Sequence, residues 1–171
     1  MWKLASVIGE IALRRRGPES LPDSTFLTGL LFAIYVIVSL IYLFLHGGLN
    51  WLGLGDLVAQ LALAFGFVFA VLTFFKLERR YRQTMSAFLG VNTVVLLVYL
   101  PVALGALLLD VDLADVPFAW VRFGFFLWSV IMEAHVFARA LSQPLVLGFM
   151  VDMLYVLPSF NISQYFSTAF E

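Results

Sequence analysis

TFLTGLLFAIYVIVSLIYLFLH, residues 25–46, contains no Asp, Glu, Lys or Arg. A helix crosses the hydrocarbon core of a bilayer with about 20 predominantly apolar residues, so this stretch is long enough to span one unaided. The composition of the whole chain agrees. Of 171 residues, 63% are hydrophobic and 12% charged, where ordinary soluble domains carry about 25% charge. Mean hydropathy is +1.00. That excess of apolar surface needs lipid rather than water as its solvent. A net charge of −1 gives no basic footprint for nucleic acid. The absence of cysteine removes disulfides, thiolate metal sites and a thiol nucleophile, and leaves the redox compartment open.

Before this stretch, residues 1–16 pattern as an amphipathic helix. Leu4, Val7, Ile8 and Ile11 recur at i, i+3, i+4, i+7, with Lys3, Ser6, Glu10 and Arg14 on the other side. Trp2 and Arg14, Arg15, Arg16 suit an anionic membrane surface; docking on the rest of the chain is the equal alternative. Glu10 interrupts the apolar run and the arginines follow it, which is not the pattern of a signal peptide. Gly17–Pro18 ends the helix, and residues 1–24 are expected to form a cytoplasmic helix and linker ahead of a membrane domain, 25–171.

Beyond residue 46, four more spans are expected, at about 55–75, 85–109, 117–139 and 144–160, the last being the shortest. Residues 76–83, 110–117 and 141–144 read as turns, and the tail NISQYFSTAFE as amphipathic or interfacial. The fold class is therefore all-α: a polytopic membrane protein of about five spans plus an interfacial helix. Nine of the ten basic residues fall on one side, Arg122 being the exception. By the positive-inside rule the N-terminus is cytoplasmic and the C-terminus outside. A salt bridge from Arg122 to Asp112 or Asp115 is expected. Asp56 is a candidate cap for span two, His46 an interfacial residue, and Asn161–Ser163 a sequon match of little weight.

Ionisable groups at membrane depth are costly unless partnered, so each is a functional hypothesis. Glu133 and His135 lie in span four and Asp152 in span five, and these three form the candidate intramembrane polar site, with structural polar contacts between helices as the other reading. Glu133 and Asp152 stand about equally far from the turn near residue 142. They can face each other and share a proton or a cation. Glu133 and His135 are about 200° apart on a helix, so one face cannot offer both to one metal. Ala62, Gly66 and Ala70 form a small-residue ridge at four-residue spacing for helix packing. Arg14, Arg15, Arg16, Arg79, Arg80 and Arg82 are candidates for lipid headgroups. No phosphate loop, HExxH, GxSxG or nucleophile–base pair is present, so no enzyme, cofactor or metal is expected.

YRQTMSAFLGVNTVVLLVYLPVAL, residues 81–104, and WSVIMEAHVFARALSQPLVLGFMVDML, residues 128–154, together resemble the second half of the Yip family of small polytopic membrane proteins, in its bacterial branch. Tyr81, Gln83, Thr84 and Pro101 carry the first part of the resemblance; Trp128, Glu133, His135 and Ala140 carry the second. The resemblance implies five spans and a cytoplasmic N-terminus. The Asp-Leu-Tyr-Gly-Pro motif of eukaryotic members, which act in vesicle traffic with small GTPases, is absent, so GTPase binding does not carry over. The first functional expectation is a non-enzymatic scaffold in a bacterial inner membrane, binding lipids, a membrane protein or its own copies. The second is a proton- or ion-coupled transport module using Glu133, His135 and Asp152.

Overall fold

The computed structural model describes residues 2–45, 49–108 and 116–168. They form α1 (Trp2–Ala12), a short 3-10 turn (Pro18–Ser20), α2 (Thr25–Leu45), α3 (Trp51–Phe74), a second 3-10 turn (Glu78–Arg80), α4 (Tyr81–Leu108), α5 (Val116–Leu141) and α6 (Leu145–Thr168), with no strand among the described residues. Five of these helices are long and apolar enough to cross a membrane. The chain is an all-α polytopic protein.

The α4 helix is the axis of the bundle. Residues 84–91 are buried on every side, which a helix achieves only when neighbours surround it. Those neighbours are α1, α2, α3 and α5 with the first 3-10 turn. Pro101 sits inside α4 beyond this segment and is exposed. The apolar stripe of α1 docks on the bundle: Ile8, Ile11 and Ala12 are buried and belong, with Leu21, to the same hydrophobic cluster as the spans. Gly90 makes the notch, because a Cβ there would stand 3.1 Å from Ile8 Cγ2.

The turns at one end carry Arg79, Arg80, Arg82 and Arg139, and this is the basic end. There α3 and α5 each close with a non-glycine residue in the left-handed region, Lys76 (φ 58°) and Ser142 (φ 54°). Leu77 N–H donates to the Leu72 carbonyl (2.7 Å) and Gln143 N–H to that of Ala138 (2.8 Å), which satisfies carbonyls the helices would otherwise leave bare. Arg80 Nη1 donates to the Ala140 carbonyl and to Ser142 Oγ, both at 2.8 Å, placing a cation at the negative end of the α5 dipole.

Two expectations need correction. Asp56 does not cap α3; Asn50 does, its Oδ1 accepting from Gly53 N–H at 2.7 Å. The helix therefore starts at Trp51, about four residues before the expected span, and Asp56 lies inside it. The last span does not stop at residue 160 but runs on through Pro158 to Thr168. Ser159 of the span and Ser163 of the expected tail both bond to α3. His46 and the proposed partners of Arg122, Asp112 and Asp115, lie outside the described residues.

Candidate functional site

The α5–α6 hairpin sets the site. Gly148, one turn before Asp152, presses on α5: a Cβ at Gly148 would collide with the Ala134 carbonyl oxygen and stand 2.7 Å from Ala138 Cβ. Without a side chain there, the two helices close until Asp152 and Glu133 meet across the seam. Asp152 is 0% exposed and Glu133 6%. The Glu133 carboxyl lies within interaction range of Asp152 and of the Asn92 amide from α4. Yet neither Asp152 oxygen completes a hydrogen bond. Asn92 Nδ2 itself donates to the Phe88 carbonyl at 3.0 Å.

Two tyrosines flank the pair. Tyr155 of α6 is in electrostatic reach of Glu133, Asp152 and Tyr35, and Tyr35 of α2 is in reach of Glu133. The Tyr155 ring packs on Phe88 (5.3 Å between centroids) and Phe67 (5.5 Å), which both also meet Phe137. This aromatic collar keeps the surroundings of the pair apolar. Among the described residues the ion pairs are Glu10–Arg16, Asp23–Arg82 and Glu19–Arg139, and none involves the two buried carboxyls. Nor do three or more His, Asp or Glu side chains gather there as a metal-ligand set.

His135 does not join the pair. Its Nε2 lies 2.9 Å from the Arg16 carbonyl, so it ties α5 to the chain following α1. Of the six headgroup arginines, three have work inside the protein. Arg16 pairs with Glu10, Arg80 caps α5, and Arg82 reaches Asp23 (3.4 Å) and Thr25 Oγ1 (3.1 Å). Arg14, Arg15 and Arg79 are exposed. The Ala62, Gly66, Ala70 ridge makes no packing contact within this chain: all three are exposed, and Ala64, Val68 and Leu72 face the core instead. Arg122 lines an open cavity of about 270 Å³ with Tyr42, Tyr99 and Ser129.

Sequence reasoning missed Tyr35, Tyr155 and a hydrogen-bonded cluster of Asp56, Gln60, Ser159 and Ser163 between α3 and α6. The signal for the last was the recurrence of polar residues at 152, 155, 159 and 163, one helical face. No family model matches this chain, and no curated protein or solved structure matches it.

Proposed function

We propose that this is an integral membrane protein in which Glu133 and Asp152 bind a proton or a small cation, as the coupling element of an ion-coupled transport module. One observation carries the reading: two carboxyls meet in the interior of membrane-length apolar helices, with no cation among their described neighbours. Two carboxylates in contact repel strongly at low dielectric. A shared proton or a bound cation relieves that repulsion, and its departure pushes α5 and α6 apart. A purely structural contact would be served as well by apolar side chains of the same volume.

The same reading takes the basic end as cytoplasmic, because nine of ten Lys and Arg gather there. It places the chain in a bacterial inner membrane, with the Yip resemblance of residues 81–104 and 128–154 as support. The test uses protein reconstituted in sealed vesicles. A hydrophobic carbodiimide, which attacks protonated carboxyls, should leave an adduct on Glu133 or Asp152 near neutral pH, found by mass spectrometry. A pH gradient should drive a flux that Glu133→Gln and Asp152→Asn abolish. No adduct, with flux unchanged in both variants, would overturn the proposal.

A different observation favours a second, scaffold reading. The ridge of Ala62, Gly66 and Ala70 faces outward, with nothing within 4 Å of a Cβ built on Gly66. Small residues at this spacing let a second helix approach closely. A further copy of the chain is the simplest occupant, since it presents the same small-residue ridge for a close helix–helix approach. Gly66→Leu should then abolish self-association while Glu133→Gln leaves it intact.

A further inference from the structure

A proton that reaches the pair needs a route from water, and the two directions out of the site differ. Towards the basic end a cavity lined by Glu19, Arg80, Ala138 and Arg139 opens to the surface, but apolar packing separates it from the pair. Residues 84–91 of α4 are buried, as are Val136, Phe137, Ala140 and Leu141 of α5. Gly148 is pressed onto Ala134, and Ile8, Ile11 and Leu21 cover this half from outside α4 and α5.

Towards the opposite end the bundle is polar. Asp152, Tyr155, Ser159 and Ser163 share one face of α6 and climb it over about 16 Å at 1.5 Å per residue. This face meets α3. Gln60 Nε2 donates to the Ser159 carbonyl (2.9 Å), to Ser163 Oγ (3.0 Å) and to Asp56 Oδ1 (3.3 Å). Ser159 Oγ donates to Gln60 Oε1 (2.8 Å), and Ser163 Oγ to the Asp56 carboxylate (3.1 Å). Two tyrosines couple this cluster to the pair electrostatically: Tyr35 interacts with both Asp56 and Glu133, and Tyr155 with Tyr35, Glu133 and Asp152. The titratable groups along this line are Tyr35 from α2, Asp56 from α3, Glu133 from α5, and Asp152 and Tyr155 from α6. The α4 helix contributes the neutral Asn92. Each polar group held at membrane depth carries a desolvation cost, and here the groups form a line rather than a scatter.

We propose that the α3–α6 seam is the access route to the carboxyl pair, open only to the end opposite the basic turns, with Asp56 as its outermost proton acceptor. This rests on the reading of the pair given under Proposed function. A proton from water binds the Asp56 carboxylate and passes along the polar face of Ser163, Ser159 and Tyr155, carried between them by water, to the Asp152–Glu133 pair. Asp56 returns to carboxylate, the pair gains one proton, and only O–H bonds change.

The chain has no cysteine, so single cysteines report accessibility without background. Ser159→Cys and Ser163→Cys replace one atom on the seam, Val136→Cys tests the packed side, where the parent side chain is fully buried, and Ser129→Cys tests the cavity beside Arg122. Lys76→Cys and Trp51→Cys mark the two ends. In sealed vesicles, a charged membrane-impermeant thiol reagent should modify Ser159→Cys and Ser163→Cys from the side that modifies Trp51→Cys. It should leave both untouched from the side that modifies Lys76→Cys, and should not reach Val136→Cys from either. An unreactive Ser159→Cys, modification from the basic side, or modification of Ser129→Cys in its place would overturn the route. A second measurement needs no cysteine: hydrogen–deuterium exchange of the pair's carboxyl group, read by its infrared band, should slow in Asp56→Asn. An unchanged rate counts against the route. The carbodiimide adduct on Glu133 or Asp152 reads the pair independently, so an adduct with an inert seam sinks the route alone, and a reactive seam with no adduct sinks the pair.

Discussion

Gly148 of α6 lies so close to Ala134 of α5 that its missing side chain is what lets the two helices touch. The contact is one turn from Asp152 and adjacent in sequence to Glu133, so the packing of a glycine and the meeting of two carboxyls are one structural fact. Gly148→Val inserts three carbons against backbone and Ala138 Cβ. Overpacking of this kind costs about 1–3 kcal/mol. The variant should lower the thermal midpoint in detergent and, by parting the helices, remove the carbodiimide adduct. Wild-type stability and labelling together would mean that α5 and α6 do not approach as described.

Asp152→Asn separates a functional from a structural carboxyl. Asp152 is fully buried and completes no hydrogen bond. Replacing it with a neutral isostere removes the repulsion from Glu133 and unpairs no hydrogen-bond donor. Stability should hold or rise by about 1–2 kcal/mol, as often happens when buried charge is replaced, while coupled flux is lost. A loss of about 1–3 kcal/mol would mark Asp152 as a structural acceptor whose partner is left bare. Chemical denaturation in a mild detergent measures the difference.

Gly90 holds the docking of α1. Because a Cβ there stands 3.1 Å from Ile8 Cγ2, Gly90→Val should lift α1 from the bundle at a cost of about 1–3 kcal/mol. The tie from the Arg16 carbonyl to His135 and the Glu19–Arg139 pair lie beyond this contact and should hold the linker near its place. Limited proteolysis should then cut within residues 2–16 faster than in the parent, with the five long helices still protected. Unchanged proteolysis would show that α1 is held by its other contacts.

The spans were legible because lipid imposes a length and a composition that neighbouring helices do not alter. The facing of Glu133 and Asp152 was legible from their equal distance to one turn. Their environment was not: Tyr35 of α2 and Tyr155 of α6 interact with the pair, and only tertiary packing brings those positions together. The ends of α3 and α6 were misjudged for one reason. Taken helix by helix, Asp56 reads as a cap and Ser163 as part of an amphipathic or interfacial tail, while Gln60 and Ser159 carry no signal of their own. Bonded to one another they are satisfied inside the bundle, and the helices run on past them. The ridge at Ala62, Gly66 and Ala70 has the spacing of a packing face, but spacing does not say whether the partner helix belongs to the same chain.

Gln60 is the hub of that cluster, spending its amide on Ser159, Ser163 and Asp56 at once. Gln60→Leu keeps the volume and removes every one of these bonds. It leaves the Ser159 hydroxyl and one Asp56 oxygen with fewer partners, at a cost of about 1–3 kcal/mol for groups that stay buried. Stability should fall, and the part of α6 beyond Pro158 should exchange its amide hydrogens faster than the part around Asp152. The two consequences pull apart the roles of the seam. If Gln60→Leu frays α6 but proton exchange at the pair keeps its rate, the seam is only a clasp between α3 and α6. If exchange slows while the helix stays protected in Gln60→Glu, which restores an acceptor for Ser159, the same hydrogen bonds that hold the helices also carry the proton.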